Sequence, residues 1–460
     1  MTFSDYIDYL RGKRIGVIGF GVSNQPLVRV LLRNGCDVTV CDRRERAQLG
    51  APGDEAAAQG AKFALGADYL EHLDFDVIFR TPGVLPIVPQ LRRAAQNGAI
   101  LTSEMEAFCN LCPCRILAIT GSDGKTTTST ITAELLRAQG YTVHLGGNIG
   151  TPLFDRIADI RPDDFAVLEL SSFQLHSMHC APDVAIITNI SPNHLDVHPD
   201  LEDYVSAKCS IYRGQRPDGV LVLNAKDAHT PRFAAEAPGS VRYFSSVGPV
   251  ENGVYCSDGV IYRAHGGKAE KLIDVSDIRI PGAHNVENYM AAFAATDGLV
   301  GHEACVQVAR SFAGVPHRME RIRELNGITF INDSIASSPT RTIAGLHALP
   351  KPPVIILGGH DKHIPFDELG DEVCLHAKAA VVVGETAQRI AAAIRGSKFY
   401  DPGKLPLVEA QDFRAAVETA YRLAQPGDTV TLSPACSSFD FFKNFAERGD
   451  TFRAIVESLQ

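Results

Sequence analysis

Residues 120–128 read Thr-Gly-Ser-Asp-Gly-Lys-Thr-Thr-Thr. They follow the apolar run Arg115-Ile116-Leu117-Ala118-Ile119 and open a helical pattern over Ser129–Gln139. Strand, glycine-rich loop, helix is the order of a parallel α/β sheet with a ligand at the strand ends. A loop made of Gly121, Ser122, Asp123 and Gly124 turns backbone N–H groups and a helix N-terminus toward phosphate. Lys125 would reach the outer phosphates, the Thr126 hydroxyl would sit on Mg²⁺, and Thr127 continues the turn. The spacing is T-G-x-x-G-K-T, because Ile119 stands where the longer motif has its first glycine. A plain surface turn is the alternative, and the flanking strand and helix argue against it.

A chain of 460 residues is expected to hold two to four domains. Its 45% hydrophobic and 21% charged residues fit a soluble globular protein. A net charge of −10 speaks against a nucleic-acid partner. No apolar run reaches the length of a membrane span, and Met1–Arg14 has no signal-peptide core. The expectation is a cytoplasmic monomer with no membrane partner. Eleven scattered cysteines read as free thiols. Cys109, Cys112 and Cys114 cluster, but a zinc site needs a further ligand, and the sequence offers no second paired motif.

Three blocks are expected, at 1–103, 104–314 and 315–460. In the first, strand Lys13–Gly19 ends in Gly-Phe-Gly and helix Val22–Asn34 follows. Strand Asp37–Cys41 leads to Asp42, and strand Asp76–Phe79 leads to Thr81-Pro82-Gly83. Gly19-x-Gly21 with an acid about 20 residues on is part of a dinucleotide fingerprint, although Asn24 replaces its third glycine. The pattern fits a nucleotide-like ligand or an ordinary βαβ turn. The middle block repeats strands at Phe165–Leu170, Val184–Asn189 and Val220–Asn224. The third places them at Thr329–Asn332, Val354–Gly358, Ala379–Val383 and Thr429–Leu432, with Gly314-Val315-Pro316 as a hinge before it. The fold class is therefore α/β: a Rossmann-like N-terminal domain, a central P-loop-type domain on a mainly parallel sheet, and a Rossmann-like C-terminal domain.

Chemistry-bearing residues gather at the middle block's strand ends. Gly146-Gly147-Asn148-Ile149-Gly150 is one such turn, and Glu169 closes a strand where a carboxylate can hold Mg²⁺ beside phosphate. Of His194 and His198, His194 lies nearer the strand end and is the better metal or substrate ligand. Taken alone, Lys208 reads as a solvated helix lysine.

TGSDGKTTT, GGNIG, LELSSFQL (168–175), NISPNHLD (189–196) and Tyr204-x-x-x-Lys208 occur in the order of the Mur ligases, which the whole chain resembles. Gly282-x-His284-Asn285-x-x-Asn288, His317-Arg318, Asn332-Asp333-Ser334 and Ser433–Ser438 extend the resemblance. LELSSFQL and the run Leu432–Gly449 are similar in particular to members that join D-glutamate to UDP-N-acetylmuramoyl-L-alanine with ATP, a cytoplasmic step of peptidoglycan precursor synthesis. The resemblance implies that residues 121–127 hold the ATP phosphates, with Lys125, His194 and Lys208 as catalytic residues. It implies two Mg²⁺ ions on Thr126, Glu169, His194 and Lys208, the last carboxylated by CO₂ to a carbamate. Asn285, Asn288 and Arg318 would contact adenine and phosphate, and Asp333 the ribose. Phe20, Gly21, Val22, Ser23, Asp42, Arg43, Thr81, Pro82 and Gly83 would cradle the uridine diphosphate, with Asn148 near the muramoyl group. Ser337, Lys362, Ser438 and Phe445 would line the D-glutamate pocket. Family members carry Asn-Asp-Ser-Lys-Ala-Thr where this chain reads Asn332-Asp333-Ser334-Ile335-Ala336-Ser337, so the cation is lost at Ile335. The other readings are a related ligase with a different acceptor, a nucleotide-sugar-binding protein without catalysis, and a nicotinamide-dependent oxidoreductase.

Overall fold

Many strand sequences are apolar at consecutive rather than alternate positions. Phe165–Glu169, Val184–Ile187, Val354–Leu357 and Ala379–Val382 are buried along their whole length. Burial on both faces demands helices on both sides of a parallel sheet. The computed structural model describes every residue except 193, 195, 196, 362 and 363. It divides into two units, Met1–Phe312 and Ala313–Gln460.

The first unit carries two sheets. One is formed by β1 (Arg14–Ile18), β2 (Asp37–Asp42), β3 (Lys62–Leu65), β4 (Val77–Arg80) and β5 (Ile100–Thr102), in the order β3-β2-β1-β4-β5, all parallel. The other runs β14-β13-β12-β11-β10-β9-β6-β8-β7. Its parallel part comprises β6 (Arg115–Thr120), β7 (Val143–Gly147), β8 (Phe165–Glu169), β9 (Val184–Ile187), β10 (Val220–Asn224), β11 (Ser240–Ser245) and β12 (Gly253–Ser257). Beyond them β13 (Val260–His265) and β14 (Lys268–Asp274) pair antiparallel. The loops Asp258-Gly259 and Gly266-Gly267 both have positive φ throughout, the conformation of tight hairpin turns. Sequence reading had passed over these turn dipeptides.

The second unit has one six-stranded sheet: β15 (Glu320–Leu325), β16 (Ile328–Asn332), β17 (Val354–Leu357), β18 (Ala379–Val382), β19 (Leu407–Glu409) and β20 (Thr429–Leu432). Its order is β15-β16-β20-β17-β18-β19, parallel except for the β15–β16 hairpin. The expected strands are found within a residue or two. The first strand expected in this block is Thr329–Asn332, but β15 precedes it, its mixed burial matching the charged Glu320, Arg321, Arg323 and Glu324. The helix expected to start at Ser129 starts at Lys125, because Gly124 adopts a left-handed conformation at its N-cap. All eleven cysteines are free. Among the described residues no helix is long and apolar enough to cross a membrane.

Candidate functional site

β6 delivers the chain into the loop at Gly121, whose φ of 143° and surroundings admit only glycine. A Cβ there would lie 1.9 Å from the Thr188 hydroxyl. At Gly124, φ is 77° and a Cβ would lie 2.3 Å from Asn288 Oδ1. The loop is strapped to the segment that follows β9. Ser122 N–H donates to the Asn189 carbonyl (2.9 Å), and Asp123 N–H donates to Asn189 Oδ1 (2.9 Å). The Asp123 carbonyl accepts from the Thr188 hydroxyl (2.6 Å) and from Asn189 Nδ2 (3.1 Å). Asn288 accepts from the Thr128 hydroxyl and donates to Asn285, so both asparagines stand against this loop and its helix. Among the described residues no side chain caps the helix Lys125–Ala138, whose N-terminus opens from the glycine loop.

Two lysines converge on one carbonyl. The Gly121 oxygen accepts from Lys125 Nζ at 3.0 Å and from Lys208 Nζ at 2.8 Å. Lys125 also donates to the Ser122 carbonyl at 2.8 Å. Lys208 is 1% exposed, and its ammonium lies 4.4 Å above the Tyr204 ring. Burial, and next the charge of Lys125, push its amine well below the ordinary lysine range. The solvated reading of Lys208 is thereby corrected: its helix faces the sheet.

Glu169, at the end of β8, is 1% exposed. Its Oε1 accepts from Asn148 Nδ2 at 2.9 Å, while among the described residues the buried Oε2 has no hydrogen-bond partner. A buried carboxylate oxygen without a donor is costly, and a cation resolves it. The Thr126 hydroxyl is buried on the adjacent helix turn, and His194 stands exposed on a turn with φ 56°. The carboxylate and hydroxyl oxygens are of the hard type that Mg²⁺ takes. The fit rests on the orphaned oxygen.

In the five-stranded sheet, the Gly19–Ser23 turn and Asp42 meet, since Asp42 Oδ2 accepts from Phe20 N–H at 2.7 Å. Arg44 forks the same carboxylate at 2.9 and 2.8 Å. Burial alone would raise Asp42, but these hydrogen bonds, Arg44 first, bring it down to about 2. Asn24 stands at the third fingerprint position because its Nδ2 donates to the carbonyls of Ile18 and Gly19. Thr81 N–H donates to the Ile18 carbonyl, which sets Thr81-Pro82-Gly83 beside the same turn. Gly21, Val22, Arg43 and Gly83 are exposed around it.

In the second unit, Asp333 follows β16 and accepts from the Ser433 hydroxyl (2.8 Å) and Met319 N–H (3.1 Å). Burial pushes its carboxyl up to about 6, against those hydrogen bonds and the charges of Arg318 and Arg341. The Phe445 carbonyl accepts from the Ser334 hydroxyl, and Ser438 is buried near by in the Ser433–Ser438 run. Ser337 lies in the turn after Ile335, its N–H on the Ile335 carbonyl. Lys362 falls outside the described residues.

Sequence reading missed three buried groups. Arg448, 2% exposed, donates to Ser334, Cys436 and Ser437 and gathers the ends of β16 and β20. Arg80, 1% exposed, joins the end of β4 to Ser177 and the Phe173 carbonyl beyond β8. His198, set aside in favour of His194, is 1% exposed and hydrogen-bonded at both ring nitrogens. A lone charged residue in an amphipathic stretch carries no signal of burial.

Known proteins resemble this chain along its length. A family model described as the Mur ligase middle domain matches residues 119–296, and one described as the Mur ligase, glutamate ligase domain matches 317–436. A protein of Acetivibrio thermocellus named UDP-N-acetylmuramoylalanine–D-glutamate ligase is 45% identical, over 99% of each chain. One of the same name from Clostridium kluyveri is 43% identical, over 100% of this chain and 99% of its own. Among solved structures, a UDP-N-acetylmuramate-alanine ligase of Thermotoga maritima shares the fold, with a TM-score of 0.54 at 17% identity over 97% of this chain and 99% of that one.

Two outcomes follow from this geometry. Gly121→Ala is expected to lose about 2 kcal/mol or more of stability through strain and overpacking, and to lose ATP binding, measured by chemical unfolding and calorimetry. The raised Asp333 carboxyl stabilises the fold only while protonated. Stability is therefore expected to fall as pH rises from about 3.8 to about 6, flat above that, and Asp333→Asn is expected to remove that component from a pH series of melts.

Proposed function

The chain belongs to the Mur ligase family, and we propose that it joins D-glutamate to UDP-N-acetylmuramoyl-L-alanine, driven by ATP, in peptidoglycan precursor synthesis. The observation that carries this reading is full-length likeness, at 45% identity, to a ligase of that name. The paired lysines and the orphaned Glu169 oxygen at one sheet edge supply matching chemistry. The reading includes a cytoplasmic monomer in three domains, at 1–103, 104–314 and 315–460.

A carboxylate is a poor electrophile, so the L-alanyl carboxylate is phosphorylated first, and the D-glutamate amine then displaces phosphate from the acyl phosphate. Phosphoryl transfer asks the protein mainly for position and charge. Backbone N–H groups of residues 121–127 and Lys125 take the ATP phosphates, with Asn285, Asn288, Arg318 and Asp333 on the rest of the nucleotide. Glu169, Thr126, His194 and Lys208 would hold two Mg²⁺ ions, which neutralise phosphate charge and polarise the transferred group. With its amine pushed well below the ordinary lysine range, Lys208 would take up CO₂ with release of a proton, so that an anionic carbamate stands where an ammonium would repel the metal. Phe20–Ser23, Asp42, Arg43 and Thr81–Gly83 cradle the uridine diphosphate, and Asn148 orients the muramoyl end from its bond to Glu169.

The acceptor has two carboxylates, and Ile335 brings no cation to them. Arg448 is spent on backbone carbonyls. Arg341, one turn into the helix Pro339–Ala348, reaches back so that its Nη1 donates to the Ile335 carbonyl at 3.4 Å. We assign Arg341 to the acceptor pocket with Ser337, Ser438 and Phe445, in the role that a lysine at 335 would have. A guanidinium forks a carboxylate where an ammonium offers a point charge.

Phosphate release from ATP with UDP-N-acetylmuramoyl-L-alanine is expected to require D-glutamate, and not L-glutamate or L-lysine. Release with another acceptor only would move the specificity elsewhere. Arg341→Ala is expected to raise KM for D-glutamate about tenfold with KM for ATP unchanged, and Ile335→Lys in that background to restore it. An unchanged KM in Arg341→Ala would remove Arg341 from the pocket.

A further inference from the structure

His194 sits on an exposed turn, yet a metal ligand must be held still. Its own backbone is gripped locally, since its carbonyl accepts from Val197 N–H (3.1 Å) and His198 N–H (2.9 Å). Its ring meets the Phe173 ring edge-on, with centroids 5.0 Å apart at 63°. Phe173 in turn stacks on His198, at 5.4 Å and 17°. His198 is fixed at both nitrogens. Nδ1 bonds Asp203 Oδ2 at 2.6 Å, and Nε2 shares a hydrogen bond with the Ser172 hydroxyl at 3.0 Å. Asp203 is steadied by His176 Nε2 at 3.1 Å, and the edge of Tyr204 closes the other approach to His198 at 5.3 Å. The Tyr204 hydroxyl reaches Ser122 of the phosphate loop at 2.9 Å.

We propose that His198, clamped between Asp203 and Ser172, is the positioning residue that aims His194 into the metal site through the Phe173 ring. The proposal rests on the reading of His194 as a metal ligand. Ser172 and Phe173 lie three and four residues past Glu169, so the clamp ties the His194 turn to the segment that presents the buried carboxylate. A ring that only filled space would need neither hydrogen bond. Here both nitrogens are committed, and the ring has one orientation available to it.

The test is Mn²⁺ binding to the full chain in the presence of ATP, read by electron paramagnetic resonance rather than by turnover. His194→Ala, His198→Phe, Asp203→Asn and the double variant His194→Ala/His198→Phe are compared with the unsubstituted chain, and thermal melts check that each is folded. Loss of an outer-shell partner costs about 10–100-fold in metal affinity, and that weakening is expected in His198→Phe, which keeps an aromatic ring, and in Asp203→Asn. Because His198 acts through His194, the double variant is expected to bind no more weakly than His194→Ala alone. Wild-type affinity in folded His198→Phe and Asp203→Asn, with His194→Ala weakened, overturns the proposal. So does additive loss in the double variant. Wild-type affinity in His194→Ala overturns the ligand reading beneath it instead. If His198→Phe does not fold, Asp203→Asn decides on the same criterion.

Discussion

The Gly121 carbonyl accepts from two lysine side chains, and much of the site follows from how that crowding is resolved. Two ammonium groups at one buried oxygen repel each other, and water cannot screen them there. Lys125 stands half-buried on the first helical turn. Lys208 is sealed beneath the sheet edge, where burial and the charge of Lys125 push its amine well below the ordinary lysine range. In the proposed reading, a divalent cation on Glu169 and a carbamate on Lys208 would answer both the buried carboxylate and the crowded amine.

The fold supplies that crowding through strand order. β6 lies between β9 and β8, so the phosphate loop leaves the sheet beside the ends of both neighbours. Thr188 and Asn189 arrive from β9 and strap the loop, and Glu169 arrives from β8. Gly121 has no room for a side chain because the Thr188 hydroxyl occupies that space. The consecutive apolar residues that make these strands two-sided are thus also what bring the polar residues after them to one edge.

Much of this was legible in the sequence because it is local. Apolar runs marked the parallel strands, and T-G-x-x-G-K-T marked the loop between β6 and its helix. What escaped depends on tertiary packing. Lys208 taken alone reads as a solvated helix lysine, and Arg80 and Arg448 carry no signal, since nothing nearby in the chain shows that a sheet or a carbonyl cluster will close over them. His198 lost to His194 because distance from a strand end says nothing of Asp203 or Ser172, which arrive from other elements. Asn24 read as a broken fingerprint, although its amide bonds the turn that a third glycine would have approached. The hairpins β12–β14 were within reach, in Asp258-Gly259 and Gly266-Gly267.

The proposal that Lys208 takes up CO₂ rests on a buried amine that burial and then Lys125 push well below the ordinary lysine range. Carbon-13 magnetic resonance of the full chain in ¹³C-bicarbonate tests it directly. One carbamate carbon is expected, absent in Lys208→Met. No such signal from the unsubstituted chain under conditions where it turns over ATP, or a signal that survives Lys208→Met, would contradict the account.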